Sequence, residues 1–314
     1  MSENVEVKKR TTHSAAKLKE RGFLLSVWIF PIILFAVLYV YVNFNSVLLA
    51  FKDVYDDNYS YSWAGFVHFK EFAVDVINDP RLTYCFGNSM IIFAFTLFVN
   101  LPLHVLVSYF LFKKVYGSGI FKILLFLPSI ISITVWVMMF RYFFDYGVPA
   151  ICDALGVEKV FLLNKDTAEG FYTMIAFSTW YSFAGGMLVY LGSMSRIPKS
   201  LVEAAQLDGI GIMQEFIYIC VPLLYPVLGV TLITSIPAIF TNSLQIYPFF
   251  AETAGTRLYT FGYYLFINII GSSTASVTQY PYAAAGGLLI TIIVCPLTMT
   301  VRYLVNKFDP EVSY

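Results

Sequence analysis

The sequence predicts an all-α integral membrane protein, with six transmembrane helices and one short cytoplasmic helix between the fourth and the fifth. Three observations predict it. Of 314 residues, 58% are hydrophobic and only 13% charged, against about 25% charge in a soluble domain, and the mean hydropathy is +0.71. Six runs long enough to cross a bilayer contain no Asp, Glu, Lys or Arg. The basic residues between those runs fall unevenly on the two sides.

So much apolar surface cannot be hidden inside one globule, so the solvent of most side chains must be lipid. This sets aside a soluble enzyme and a disordered chain, and a formal net charge of zero with a pI near 6.8 sets aside a nucleic-acid partner. The first 22 residues form a basic cytoplasmic tail, residues 23–305 the membrane domain with a distinctive loop at 195–226, and residues 306–314 a second cytoplasmic tail. The spans run from Phe23 to Leu49, Phe86 to Phe112, Ile123 to Phe140, Phe171 to Met194, Phe216 to Thr241 and Pro281 to Val301. Spans without ionisable groups offer no proton relay or coupling-ion site, so an energy source outside the chain is expected. The first run is too long for a signal-peptide core and no A-x-A-like site follows it, which makes it an uncleaved anchor.

Thirteen Lys and Arg flank the spans on the side of the termini and seven on the other. The positive-inside rule therefore predicts a multi-pass protein of the cell membrane with both termini cytoplasmic. The outer connections, roughly 50–85, 141–170 and 242–280, are large enough to dock another protein. Cys85 and Cys152 belong to that side, where either a disulfide or two separate thiols fits the spacing. With Cys220 and Cys295 they form no CxxC pair, and with only three histidines, His13 and His68 lying outside the spans, neither a metal site nor a catalytic dyad can be assembled. Pro31, Pro102, Pro128, Pro226, Pro237 and Pro296 lie inside spans, either as ordinary membrane-helix prolines or as bends that shape a central cavity.

The loop between the fourth and fifth spans reads as a structured element. Pro198 precedes it, Ser200 and Glu203 have the spacing of a capping box, and Gly209 follows Asp208. A helix of about two turns results, with Leu201, Val202, Ala205 and Leu207 available for packing and Glu203 and Asp208 exposed. Taken alone, it could lie on the membrane surface with Glu203 a simple cap.

Glu203-Ala204-Ala205, Asp208-Gly209, Ile219, Pro222 and Pro226 resemble the EAA loop of ABC importer permeases of the binding-protein-dependent type. The likeness is to the carbohydrate branch, because further stretches fit it along most of the chain. Trp63-Ala-Gly-Phe-Val-His-Phe69 through Asn78-Asp-Pro80 and Gly87-Asn88 is similar to the first outer loop of sugar permeases. Leu127-Pro128 with Trp136 and Gly147 is similar to their third span, and Tyr282-Ala-Ala-Ala285 to the start of their last. Two departures stand out: Glu252-Thr-Ala-Gly-Thr-Arg257 replaces a Gly-Gly-Pro turn, and Ile210-Gly211 follows Asp208-Gly209 where an alanine is usual.

The resemblance implies a type I importer permease fold and a transport subunit that is not an enzyme, needs no cofactor and couples to a separate ATPase. No G-x-x-x-x-G-K-[ST] phosphate loop occurs in the sequence, which agrees. It implies as partners a second homologous permease, two ATP-binding ATPase subunits, an extracytoplasmic solute-binding protein and a sugar substrate. Glu203, Ala204, Ala205, Asp208 and Gly209 would then form the coupling helix.

A sugar presents hydroxyls and flat CH faces, so amide and aromatic residues of the spans are candidates for its path. Asn100 and His104 lie one helical turn apart on the second span, and Trp136, Trp180, Tyr181, Asn242, Gln245 and Tyr247 could complete a cavity. His104 is read first as a hydrogen-bond partner between helices. A permease for peptides or amino acids is the nearest alternative. A secondary carrier is the more distant one, since neither internal repeats nor coupling charges in the membrane are visible.

Overall fold

In lipid every backbone polar group must be satisfied within the fold, and the computed structural model is accordingly a bundle of helices. It describes residues 23–54, 61–270 and 279–308. The expected basic tail at 1–22, with His13, lies outside the described residues, as does the chain from 309 onward.

In chain order the helices are α1 (Phe23–Leu49), α2 (Val67–Asn78), α3 (Pro80–Phe112), α4 (Ser118–Ile130), α5 (Ile133–Leu155) and α6 (Ala168–Met194). There follow α7 (Lys199–Leu207), α8 (Ile212–Leu223), α9 (Tyr225–Thr241), α10 (Ile246–Phe250), α11 (Phe261–Ile270) and α12 (Tyr280–Lys307). Among the described residues, five helices are long and apolar enough to cross a membrane, taking α9 and α10 together, and α4 with α5 makes a sixth, broken span. A short antiparallel hairpin, β1 (Lys52–Val54) with β2 (Tyr61–Trp63), pairs Lys52 with Trp63 and Val54 with Tyr61.

The third span is not the single helix over 123–140 expected from the sequence. α4 and α5 meet at 99°, with Ile131 and Ser132 extended between them. The break freed the carbonyl of Pro128, and the Trp136 indole N–H donates to it at 3.0 Å. The fifth span also differs: Phe216–Leu223 belongs to α8, and the span proper begins at Tyr225. Pro226 has no N–H to offer the carbonyl of Pro222, and the ladder lapses at Leu224.

Prolines act on the neighbouring turns at three of the four π-helical segments among the described residues, Phe35–Tyr41 being the exception. π-helical turns cover Thr96–Asn100, Phe143–Gly147 and Phe216–Cys220, and Pro102, Pro149 and Pro222 follow them closely. A proline ring collides with the carbonyl four residues before it. That carbonyl belongs to Phe98, Asp145 and Tyr218, each inside one of the widened turns, which swing it clear.

The connections expected to lie outside are largely built structure: the hairpin and α2 in the first, the continuation of α5 in the second, and α10, a 3₁₀ turn at Thr256–Leu258 and α11 in the third. Asn88 ties α3 to the last of these by donating to the Arg257 and Tyr259 carbonyls at 2.7 and 2.9 Å. Cys85 and Cys152 are buried free thiols.

Two clusters of buried side chains fill the bundle. One gathers Phe72, Leu82, Ile92, Ile175, Phe177, Leu244, Phe249 and Tyr263 at the end carrying α2 and α11. The other gathers Val105, Tyr109, Tyr190, Met194, Ile197, Cys220 and Leu224 at the end carrying α7. α3 and α6 run through both and approach closely, because Gly186 leaves room for the His104 ring where a Cβ would collide with it. Ser108 strengthens the contact by donating to the Met187 carbonyl at 3.1 Å.

Candidate functional site

Between the two clusters lies a cavity of about 310 Å³. α3 supplies Thr96, Asn100 and His104, α6 supplies Ser178, Thr179, Ser182 and Tyr190, α9 supplies Thr231, and Asn242 and Leu244 close it just beyond α9. An adjoining cavity of about 220 Å³ shares Thr96, Thr231 and Asn242 and adds Ser89, Thr234 and Ser235. Among the described residues their walls hold amides, hydroxyls and one imidazole besides apolar side chains, and no Asp, Glu, Lys or Arg.

Asn100 is the last residue of the π turn that Pro102 provokes. Its Oδ1 is buried with no partner among the described residues, as is Nε2 of His104. A buried polar atom left unpaired costs about 1–3 kcal/mol; both atoms lie beneath the cavity surface, with the residues that carry them lining it. His104 is 8% exposed and meets α6 through its ring, edge-on to Phe183 at 4.7 Å. The hydrogen bond between helices expected of its side chain is not formed among the described residues. Asn242 caps the end of α9, its Oδ1 accepting from the Leu244 N–H at 2.8 Å.

Asn100, His104 and Asn242 thus converge, while the remaining candidates lie elsewhere. Trp136 and Trp180 pack edge to face at 4.8 Å, and Tyr181 stacks on Phe177 at 6.2 Å. Tyr247 lies edge-on to Phe266 at 5.0 Å. Aromatic faces gain more by covering one another than by facing a polar cavity. Gln245 precedes α10 with φ +58° and turns the chain there. None of the five lines either cavity.

The second feature is α7. The capping box of Ser200 and Glu203 does not form: Pro198 is the N-cap residue and no side chain caps the start. The helix begins at Lys199, so Ser200 already lies in the first turn, where its hydroxyl cannot serve as a cap. The other end is well closed. Gly209, with φ +76°, donates to the Gln206 carbonyl, and Ile210 to that of Ala205, both at 3.1 Å, which is a Schellman motif. Ala205 is buried and Val202 half-buried, but Leu201 is 41% and Leu207 90% exposed. Among the described residues Leu207 is almost uncovered and Leu201 partly so, and the helix projects with apolar surface exposed. Lys199, Val202, Glu203 and Gln206 form an adjacent stripe lining a basic cleft of about 750 Å³ shared with Lys113, Lys114 and Lys122.

Sequence reasoning missed the junction behind α7. In α8, the Glu215 side chain is 3% exposed, and both its oxygens accept from Lys113 Nζ, at 3.0 and 2.8 Å. Tyr109 donates to the Ile212 carbonyl at 2.9 Å. The signal available was that Lys113 and Glu215 are the charges bordering two uncharged runs. The cavity's hydroxyls carry no sequence signal of their own, because Ser and Thr recur throughout the spans.

Residues 89–314 match the family described as "binding-protein-dependent transport system inner membrane component". The multiple sugar-binding transport system permease protein MsmF of Streptococcus mutans is 24% identical over 282 residues, 90% of this chain and 94% of that protein. The arabinooligosaccharides transport system permease protein AraP of Bacillus subtilis is 26% identical over 241 residues, 75% of each chain. The lactose transport system permease protein LacF of Rhizobium radiobacter is 26% identical over 73% of this chain and 78% of its own. A chain of a bacterial alginate ABC transporter, solved in complex with an alginate pentasaccharide-bound periplasmic protein, has a TM-score of 0.73 at 19% identity, over 94% of this chain and 98% of its own. That likeness is one of fold.

Proposed function

The chain belongs to the binding-protein-dependent transport system inner membrane components, and from that premise we propose that it is the membrane-spanning permease subunit of an ATP-driven sugar or oligosaccharide importer. It works with a second homologous permease, two ATPase subunits and an extracytoplasmic binding protein. It is a transport subunit, not an enzyme, and ATP is hydrolysed on the ATPase partners. Relatives named as sugar permeases, alignable over most of the chain, support the substrate class.

The observation that carries the reading is the uncharged, hydroxyl- and amide-lined cavity enclosed by α3, α6 and α9. A neutral polyol can exchange its water hydrogen bonds for those of Asn100, His104, Asn242 and the surrounding hydroxyls. A zwitterionic amino acid or peptide would leave its charges unpaired there, at a cost of several kcal/mol. The cavity walls, among the described residues, hold no carboxylate to relay a proton. We place the entry of energy at α7, whose exposed Leu201 and Leu207 and adjoining Glu203, Ala204 and Asp208 suit a cleft on an ATPase subunit. Both termini are cytoplasmic in this reading, supported by the thirteen-to-seven bias of basic residues.

A strain lacking this chain, compared with the same strain complemented, tests the reading with a panel of radiolabelled neutral oligosaccharides, amino acids and peptides. Uptake of at least one oligosaccharide falls to background and returns on complementation. Loss confined to an amino acid or peptide would replace the sugar reading by its nearest alternative.

A further inference from the structure

We infer that the buried Lys113–Glu215 pair, with the Tyr109–Ile212 hydrogen bond, is a latch that makes α3 follow α7, so that movement of the projecting helix reaches Asn100 and His104. The inference rests on the reading of α7 as the helix that meets the ATPase. The residues concerned are positioning residues, remote from the cavity.

Three observations carry it. α3 is continuous from the cavity to the junction, and His104 and Lys113 are separated by about 14 Å along the axis at about 1.5 Å per residue. Displacement of one end is therefore displacement of the other. The junction has two ties on successive turns of α3, both to α8: the Tyr109 hydroxyl to the Ile212 carbonyl at 2.9 Å and the Lys113 ammonium to both Glu215 oxygens. The Glu215 carboxylate is almost fully enclosed and Lys113 is only 18% exposed, so water and salt screen the pair little. Separating it would strand a charge in an apolar surround formed by Tyr109, Phe216 and Cys220.

α8 is joined to α7 through the tight turn at Gly209 to Gly211. Gln214 stiffens that turn by accepting from the Gly211 N–H at 3.0 Å. A push on α7 thus meets a short, hydrogen-bonded connection, then α8, then the two ties to α3. α6 reaches α7 from the other side through Ile197, so the cavity walls formed by α3 and α6 are both joined to the projecting helix.

The test measures ATP hydrolysed per saccharide imported by the complete reconstituted importer, the probe being its binding protein loaded with the oligosaccharide that the uptake panel identifies. A merely structural pair lowers hydrolysis and import together when broken and leaves the ratio unchanged. A latch raises it. Glu215→Gln and Lys113→Gln each weaken a charge-assisted contact, and the ratio is expected to rise about tenfold. Exchanging the two charges, Lys113→Glu with Glu215→Lys, returns it toward wild type. Where a charge variant fails to assemble, Tyr109→Phe, which keeps the ring and loses one hydrogen bond, carries the test with an expected rise of about threefold. A wild-type ratio in every assembled variant overturns the latch. A wild-type importer whose ATP hydrolysis does not respond to loaded binding protein overturns the underlying reading of α7, and the latch with it.

Discussion

Asn100 shows how a residue's role follows from a neighbour's backbone. Pro102 widens the preceding turn, and Asn100 closes it with an amide oxygen that has no partner among the described residues. Asn100→Leu is apolar and insertion-neutral, so permease abundance should hold while uptake falls several-fold, as expected from losing about 1 kcal/mol of substrate hydrogen bonding. Asn242→Leu should also reduce uptake but with some loss of abundance, because its Oδ1 is already committed to the Leu244 N–H. Quantitative blotting beside initial uptake rates separates the two outcomes. Wild-type uptake in Asn100→Leu would return this residue to packing. Both amides line the cavity, as expected of polar residues in apolar runs, which face the interior of a bundle. The aromatic candidates pack elsewhere: Trp136 donates to the Pro128 carbonyl, and Trp180 lies against Trp136 and Phe140.

α7 places the functional argument at its ends. Its exit depends on Gly209 in a left-handed conformation donating to Gln206. Proline forbids that φ and has no N–H. Gly209→Pro should therefore misdirect α8 and abolish most substrate-stimulated ATP hydrolysis, whereas Gly209→Ala, strained by about 1–2 kcal/mol, should reduce it mildly. Glu203 does not cap the helix, so Glu203→Gln tests charge alone: stimulation should fall if its carboxylate meets a cation on the ATPase. Full stimulation of the reconstituted complex with Gly209→Pro would refute the assignment of α7. The helix and its glycine stop were legible from Pro198 and Gly209, yet the capping box was not real, since the spacing of Ser200 and Glu203 cannot tell which residue leaves the helix first. Likewise the bend between α4 and α5 had only Pro128 as a signal. The Lys113–Glu215 contact joins residues 102 positions apart, beyond any local pattern.

At the scale of the whole molecule, spans were the most legible feature, because lipid requires long uncharged runs and the chain has little choice in meeting that demand. Which chain ends face which compartment rests on the bias of basic residues. Reporters active only in the cytoplasm or only outside, fused at Val157, Ser200 and the C terminus, should report Val157 outside and the other two inside. An externally active reporter at Ser200 would put α7 out of reach of an ATPase. In the proposed function one chain joins a neutral saccharide path to a separate source of ATP energy. Proteoliposomes holding the complete importer, with ATP inside and saccharide-loaded binding protein outside, measure it most directly. Saccharide should accumulate only with ATP, the binding protein and an intact α7. Accumulation driven instead by an ion gradient, without the ATPase subunits, would refute the proposed function.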